Sequence, residues 1–91
     1  MDAIPRTDSL IDYPSDFPIK VMGPTHIDFE STIQEVVLGF DPTFHKGKME
    51  ARPSGKGNYT GLTVTVLATS REQLDALYTA LTAHPMVKIV L

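Results

Sequence analysis

Residues 62–68 read Leu62-Thr63-Val64-Thr65-Val66-Leu67-Ala68, and after Thr69 the chain continues Ser70-Arg71-Glu72-Gln73. The first run alternates strictly. Leu62, Val64, Val66 and Ala68 face one way and Thr63, Thr65 and Leu67 the other, which is the period of a strand with one buried face. Its β-branched content suits a central strand. The second run fits a capping box, with the Ser70 hydroxyl on the Gln73 amide and the Gln73 side chain reaching back. Leu74, Leu77, Tyr78 and Leu81 then recur at helical spacing, and His84-Pro85 ends the helix. One strand followed by one single-striped helix fixes half of the architecture.

The other half mirrors it. Phe17, Ile19 and Val21 alternate with polar or mixed residues up to Gly23-Pro24, a strong breaker pair. Phe29, Ile33, Val36, Val37 and Phe40 then mark a helical face, with Asp28 and Glu30 near its positive end and Asp41-Pro42 closing it. Lys48–Ser54 is a weaker strand that Pro53 demotes to an edge. Ser54-Gly55-Lys56-Gly57-Asn58 reads as a turn, and Met86–Leu91 as a last short strand. The order βαββαβ, with two helices that each bury one stripe, predicts an α+β ferredoxin-like sandwich. Its four-stranded antiparallel sheet has the order 4-1-3-2, and both helices cover one face.

Composition sets further bounds. Ninety-one residues suffice for one domain. Residues 1–16 carry four acids against Arg6 and hold the whole net charge of −3, whereas residues 17–91 balance seven acids with seven bases. The division predicts an acidic N-terminal tail over 1–16 and a single neutral domain over 17–91. There is no cysteine, which excludes thiolate metal sites, disulfides and cysteine nucleophiles. The N-terminus has no long apolar run, so neither a signal peptide nor a membrane span is expected, and the cytoplasm is the expected compartment.

With Ile19, Val21, Val64 and Val66 under the helices, the open face is expected to present Lys20, Met22, Thr63, Thr65, Leu67, Lys88 and Val90. The edge Val87–Leu91 is apolar with Lys88 as its only guard, which suggests a homodimer through a sheet edge. His45, Lys46, Lys48, Arg52 and Lys56 cluster against Glu50 alone. A solvated, charge-blunted edge explains that stretch. The less favoured reading is an anion or partner site at Arg52, Lys56, Gly57 and Asn58, with backbone N–H groups in the turn. Nucleic-acid binding through residues 45–56 is an alternative. The neutral domain and the threonines at positions 63 and 65, where base-stacking aromatics would be needed, argue against it. His26, His45 and His84 share no metal-ligand spacing, and no cofactor is implied. Asp41 and His45 form a near acid–His pair, without the nucleophile and orienting group that catalysis needs. The chain therefore reads as non-enzymatic.

Three segments carry a resemblance. Pro18-Ile19-Lys20-Val21-Met22-Gly23, Arg52-Pro53-Ser54-Gly55-Lys56-Gly57-Asn58-Tyr59 and Met86-Val87-Lys88-Ile89-Val90-Leu91 together resemble the YbeD family of small bacterial proteins over residues 10–91. Gly55 stands where the family usually has a second serine. The resemblance implies a ferredoxin-like fold similar to ACT regulatory domains, which bind small metabolites where a glycine ends the first strand. Gly23 and Thr25 occupy that place here. A glycine admits close approach to the backbone, and a helix start offers free N–H groups to a carboxylate. The functional expectation is a regulatory or adaptor domain that binds a small metabolite or a protein partner.

Overall fold

The computed structural model describes residues 12–91. The elements run β1 (Ser15–Pro24), α1 (Phe29–Leu38), a 3-10 turn (Lys46–Lys48), β2 (Met49–Pro53), β3 (Tyr59–Ala68), α2 (Arg71–Ala83) and β4 (Ile89–Val90). The sheet order is β2-β3-β1-β4, with every neighbour antiparallel. This is the expected ferredoxin-like order.

The central ladder joins β1 and β3 along ten pairs, from Ser15 with Ala68 to Pro24 with Tyr59. Ile19, Val21, Leu62, Val64, Val66 and Ala68 project to the helix side and are buried. Phe29, Ile33 and Val37 of α1, with Leu74, Leu77 and Leu81 of α2, close over them. The two helical stripes and the two alternating strands thus bury the same faces that their spacing marks.

Several boundaries differ from the sequence reading. Ser15 and Asp16, placed in the tail by their charge and composition, are paired in β1 opposite Ala68 and Leu67. Tyr13, also within the expected tail, packs against the core, while residues 1–11 lie outside the described residues. β4 is confined to Ile89–Val90, where Val21 pairs with Val90 and Met22 with Ile89. Cross-strand partners share a face, so Val90 joins the buried side with Val21, and Ile89 takes the open face with Met22. Lys88 precedes the paired residues, and its N–H donates to the Met22 carbonyl.

A polar clamp finishes the far end of β3. Pairing with β2 stops at Met49–Val64, yet β3 runs on to Ala68. Two side chains replace the missing strand. The Asp41 carboxylate accepts from the Leu67 N–H at 2.9 Å, and the Gln73 amide donates to the Leu67 carbonyl at 3.0 Å. Asp41 also accepts from the Thr43 N–H at 3.0 Å and the Thr43 hydroxyl at 2.5 Å. Gln73 further donates to the Phe40 carbonyl and accepts from the Thr69 N–H. The capping box is therefore half formed. Ser70 Oγ accepts from the Gln73 N–H at 3.0 Å, but the Gln73 side chain serves the strand end rather than Ser70. Burial pushes the Asp41 carboxyl upward, and the bonds from Leu67 and Thr43, helped by the Lys48 charge, outweigh it, leaving Asp41 below the ordinary carboxylate range.

Candidate functional site: a cationic depression on the open sheet face

The face away from the helices carries alternate residues of three strands. Lys20 of β1 aligns with Thr63 of β3 and Glu50 of β2; in the next open-face row Met22 aligns with Gly61 and Arg52. The second row has side chains at both ends and none in the middle. Adjacent strands lie about 4.8 Å apart, so Met22 and Arg52 flank a gap roughly 10 Å wide between backbones. Tyr59 and Thr63 bound it along β3, two residues to either side of Gly61. The result is a depression of about 390 Å³, at the small end of ligand-sized cavities. A second hollow, of about 340 Å³, continues from Glu50 and Thr63 toward Thr65 and Lys48.

The rim is held by the β2–β3 hairpin. The Ser54 N–H donates to the Tyr59 carbonyl at 2.7 Å, and the Gly57 N–H to the Ser54 carbonyl at 2.9 Å. Gly57 sits at φ +74°, a left-handed conformation that favours glycine. The hairpin end is tied to the β1–α1 loop, because the Thr25 N–H donates to the Asn58 carbonyl at 3.0 Å and the Thr25 and Thr60 hydroxyls lie 2.9 Å apart. Tyr59, 47% exposed, is thus fixed at the edge of the depression.

Charge gives the site its sign. Lys20 and Arg52 line it with Glu50 as its one acid, a formal balance of +1. Neither cation has an ion-pair partner among the described residues. Met22, Pro53 and the Tyr59 ring add apolar surface. The site can therefore offer a carboxylate or similar anion two donors beside a surface for an apolar body.

The residues singled out from the sequence are dispersed. Arg52 lines the depression, whereas Lys56 and Gly57 lie at the exposed hairpin tip. The Gly57 N–H is committed to the Ser54 carbonyl and the Tyr59 N–H to the Ser54 hydroxyl, while the Asn58 carbonyl holds the Thr25 N–H. At the β1–α1 junction, Gly23 is buried, and a Cβ there would meet the Met86 carbonyl at 2.3 Å and the Phe29 ring at 2.7 Å. The space left by that glycine is filled by the chain itself. Thr25 is exposed beside it. Asp41 and His45 each serve other partners: Asp41 closes β3, and His45 Nδ1 accepts from the Gly47 N–H at 3.1 Å. Among the described residues no three His, Asp or Glu side chains converge as metal ligands, and no helix is long and apolar enough to cross a membrane. Sequence reasoning passed over Gly61. A glycine inside a strand signals close approach or concavity, but its meaning depends on which residues the register sets on either side.

Comparison with known proteins agrees with this fold. Residues 8–91 match the family model described as a protein of unknown function, DUF493. The chain is 70% identical over 89 residues to the UPF0250 protein RSc0326 of Ralstonia nicotianae, covering 98% of this chain and 92% of that one. It is 65% identical to the UPF0250 protein BPP0168 of Bordetella parapertussis over the full length of both. The solution structure of protein HP0495 from H. pylori superposes with a TM-score of 0.74, at 18% identity, covering 100% of this chain and 98% of that one. At that identity the likeness concerns the fold. The chain belongs to the DUF493 family, the UPF0250 or YbeD group of small bacterial proteins.

Proposed function

We propose that this chain is a non-enzymatic regulatory or adaptor domain, working in the cytoplasm, that binds a negatively charged ligand on the open face of its sheet. The observation that carries the reading is the depression between Met22 and Arg52, where two cations without ion-pair partners among the described residues border a ligand-sized hollow. A solvated edge strand accounts for Arg52 alone. It does not account for a concavity flanked by Lys20 from another strand. The Gly23–Thr25 junction is the weaker candidate, because Phe29 and Met86 fill its glycine notch. Nucleic-acid binding is weaker still, since Tyr59 is the only aromatic residue among those lining the depression.

An amide-resolved NMR titration with pooled metabolites and acidic peptides tests the reading. Shifts at Lys20, Met22, Arg52 and residues 59–63, abolished by the double change Lys20→Glu and Arg52→Glu, are expected. Shifts confined to Gly23, Thr25 and the start of α1 would move the site, and binding that survives the double change would reject it.

Self-association is a second reading with its own observation. Lys20 and Leu91 exchange backbone hydrogen bonds of 3.0 and 2.8 Å, so the peptide groups of Val90 alternate outward from the sheet. Ile89 is 50% exposed and Leu91 64% exposed beside that open edge, which suits pairing with a second copy.

A further inference from the structure

Gly61 stands mid-strand in β3 between Met22 of β1 and Arg52 of β2. A glycine there costs stability relative to alanine, because the unfolded chain has more freedom to lose. Three structural reasons ordinarily retain one: a left-handed φ, a neighbour too close for a Cβ, or a bulge. None applies. Among the described residues only Gly57 has a positive φ. The register runs unbroken through Gly61 on both sides. A Cβ at Gly61 would find the Arg52 carbonyl at 3.8 Å and Met22 Cγ at 3.9 Å, ordinary contact distances. Gly23 is the contrast within the same sheet, with backbone at 2.3 Å. The one physical consequence of having no side chain at position 61 is the depression itself.

We infer that Gly61 is a ligand-site residue, and that the depression it creates takes a small organic monoanion. The carboxylate is held by Arg52 and Lys20, and the apolar body lies over Gly61 between Met22 and the Tyr59 ring. This inference rests on the open face being the binding face and adds the ligand class and the residue that admits it. The formal balance of Lys20, Arg52 and Glu50 is +1, which matches one negative charge better than the two of a phosphate ester. The guanidinium fork of Arg52 fits the two oxygens of a carboxylate. Met22, Pro53 and Tyr59 supply apolar lining that a free inorganic anion would leave unused.

The test titrates wild type, Gly61→Ala and Gly61→Val with hexanoate, phenylacetate, inorganic phosphate and hexylamine, reading amide shifts and melting temperature. Both variants are expected to fold and to melt a few degrees higher than wild type. The two carboxylates should shift Gly61, Arg52, Tyr59 and Lys20 in wild type, and phosphate and hexylamine should not. Gly61→Val should weaken carboxylate binding at least tenfold, with Gly61→Ala intermediate. Failure of Gly61→Val to fold, or a lower melting temperature, would show that the glycine is structural and would overturn the inference. Carboxylate binding unchanged in Gly61→Val would overturn it while leaving the open face as the binding face. Phosphate binding as tightly as the carboxylates would overturn the ligand class alone. An acidic peptide that shifts Lys20 and Arg52 where no carboxylate does would also overturn the class and keep the proposed function. Silence from every probe, peptide included, would reject both.

Discussion

Replacing Asp41 tests whether two side chains stand in for a strand. Asp41 is 2% exposed, and its carboxylate takes three hydrogen bonds. A hydrogen bond to a charged acceptor contributes about 1.5–3 kcal/mol, but a donor that regains water on mutation recovers most of it. The two Thr43 groups sit in a surface loop and recover. The Leu67 N–H belongs to a half-buried strand residue covered by the buried Asp41 side chain, and recovers less. Asp41→Ala should therefore cost roughly 2–4 kcal/mol, a large part of the ~5–14 kcal/mol available to a domain of this length. At about 4–8 °C per kcal/mol, the melting temperature should fall by roughly 8–32 °C. Asp41→Asn keeps the shape and one acceptor, and should cost about half as much.

The pH dependence has a definite sign. The folded carboxyl lies below its ordinary value of 3.8, so the unfolded chain takes up the proton first as pH falls. The stabilisation is complete above the unfolded value and is lost as pH drops through the lower folded one. Melts of wild type and Asp41→Asn from pH 7 to pH 2 should differ by a constant amount down to about pH 5, then converge. Hydrogen exchange should show the Leu67 amide losing protection in Asp41→Asn ahead of its neighbours. A melting temperature within 2 °C of wild type for Asp41→Ala, or a gap that stays open at pH 2, would refute the account.

Two further outcomes follow from the sheet. Gly23→Ala should destabilise the fold by about 1–3 kcal/mol, the ordinary cost of overpacking, because the Met86 carbonyl that it meets is backbone and cannot rotate away; chemical denaturation checks this against a Gly61→Ala control that loses nothing. Val90→Pro removes an outward N–H that β1 does not use, so a dimer formed through β4 should dissociate in sedimentation velocity while the monomer fold persists; a dimer unaffected by the change would place the interface elsewhere.

Much of this fold is written in period. The alternation of Ile19 and Val21, and of Leu62, Val64 and Val66, specifies which face each strand buries, because a slip of one residue would turn every side chain over. The helical stripes are equally explicit. What the sequence conceals is where pairing stops. The apolar run at the C-terminus reads as a six-residue strand, yet only Ile89 and Val90 pair as strand, and that offset of one residue moves Val90 inward and Ile89 outward. Asp41 looks like half of an acid–His pair because chain distance is all that a sequence offers. In space its partner is Leu67, twenty-six residues away. Phe44 is buried from within a loop, where no periodicity exists to announce it. The site divides the same way. Lys20, Met22 and Arg52 are legible as open-face residues from their own strands, but Gly61 acquires meaning only when registers on both its sides are known.

The β1–β3 ladder also has a consequence for the birth of the protein. Its ten pairs join residues 35 positions apart at one end, from Pro24 to Tyr59, and 53 apart at the other, from Ser15 to Ala68. Such non-local contacts must wait for a large loop to close before they reward it, and folding slows accordingly. During synthesis, β1 and α1 leave the ribosome with their apolar faces bare and no strand to cover them until residue 68 has followed. The nascent chain is therefore exposed to aggregation until β3 has emerged.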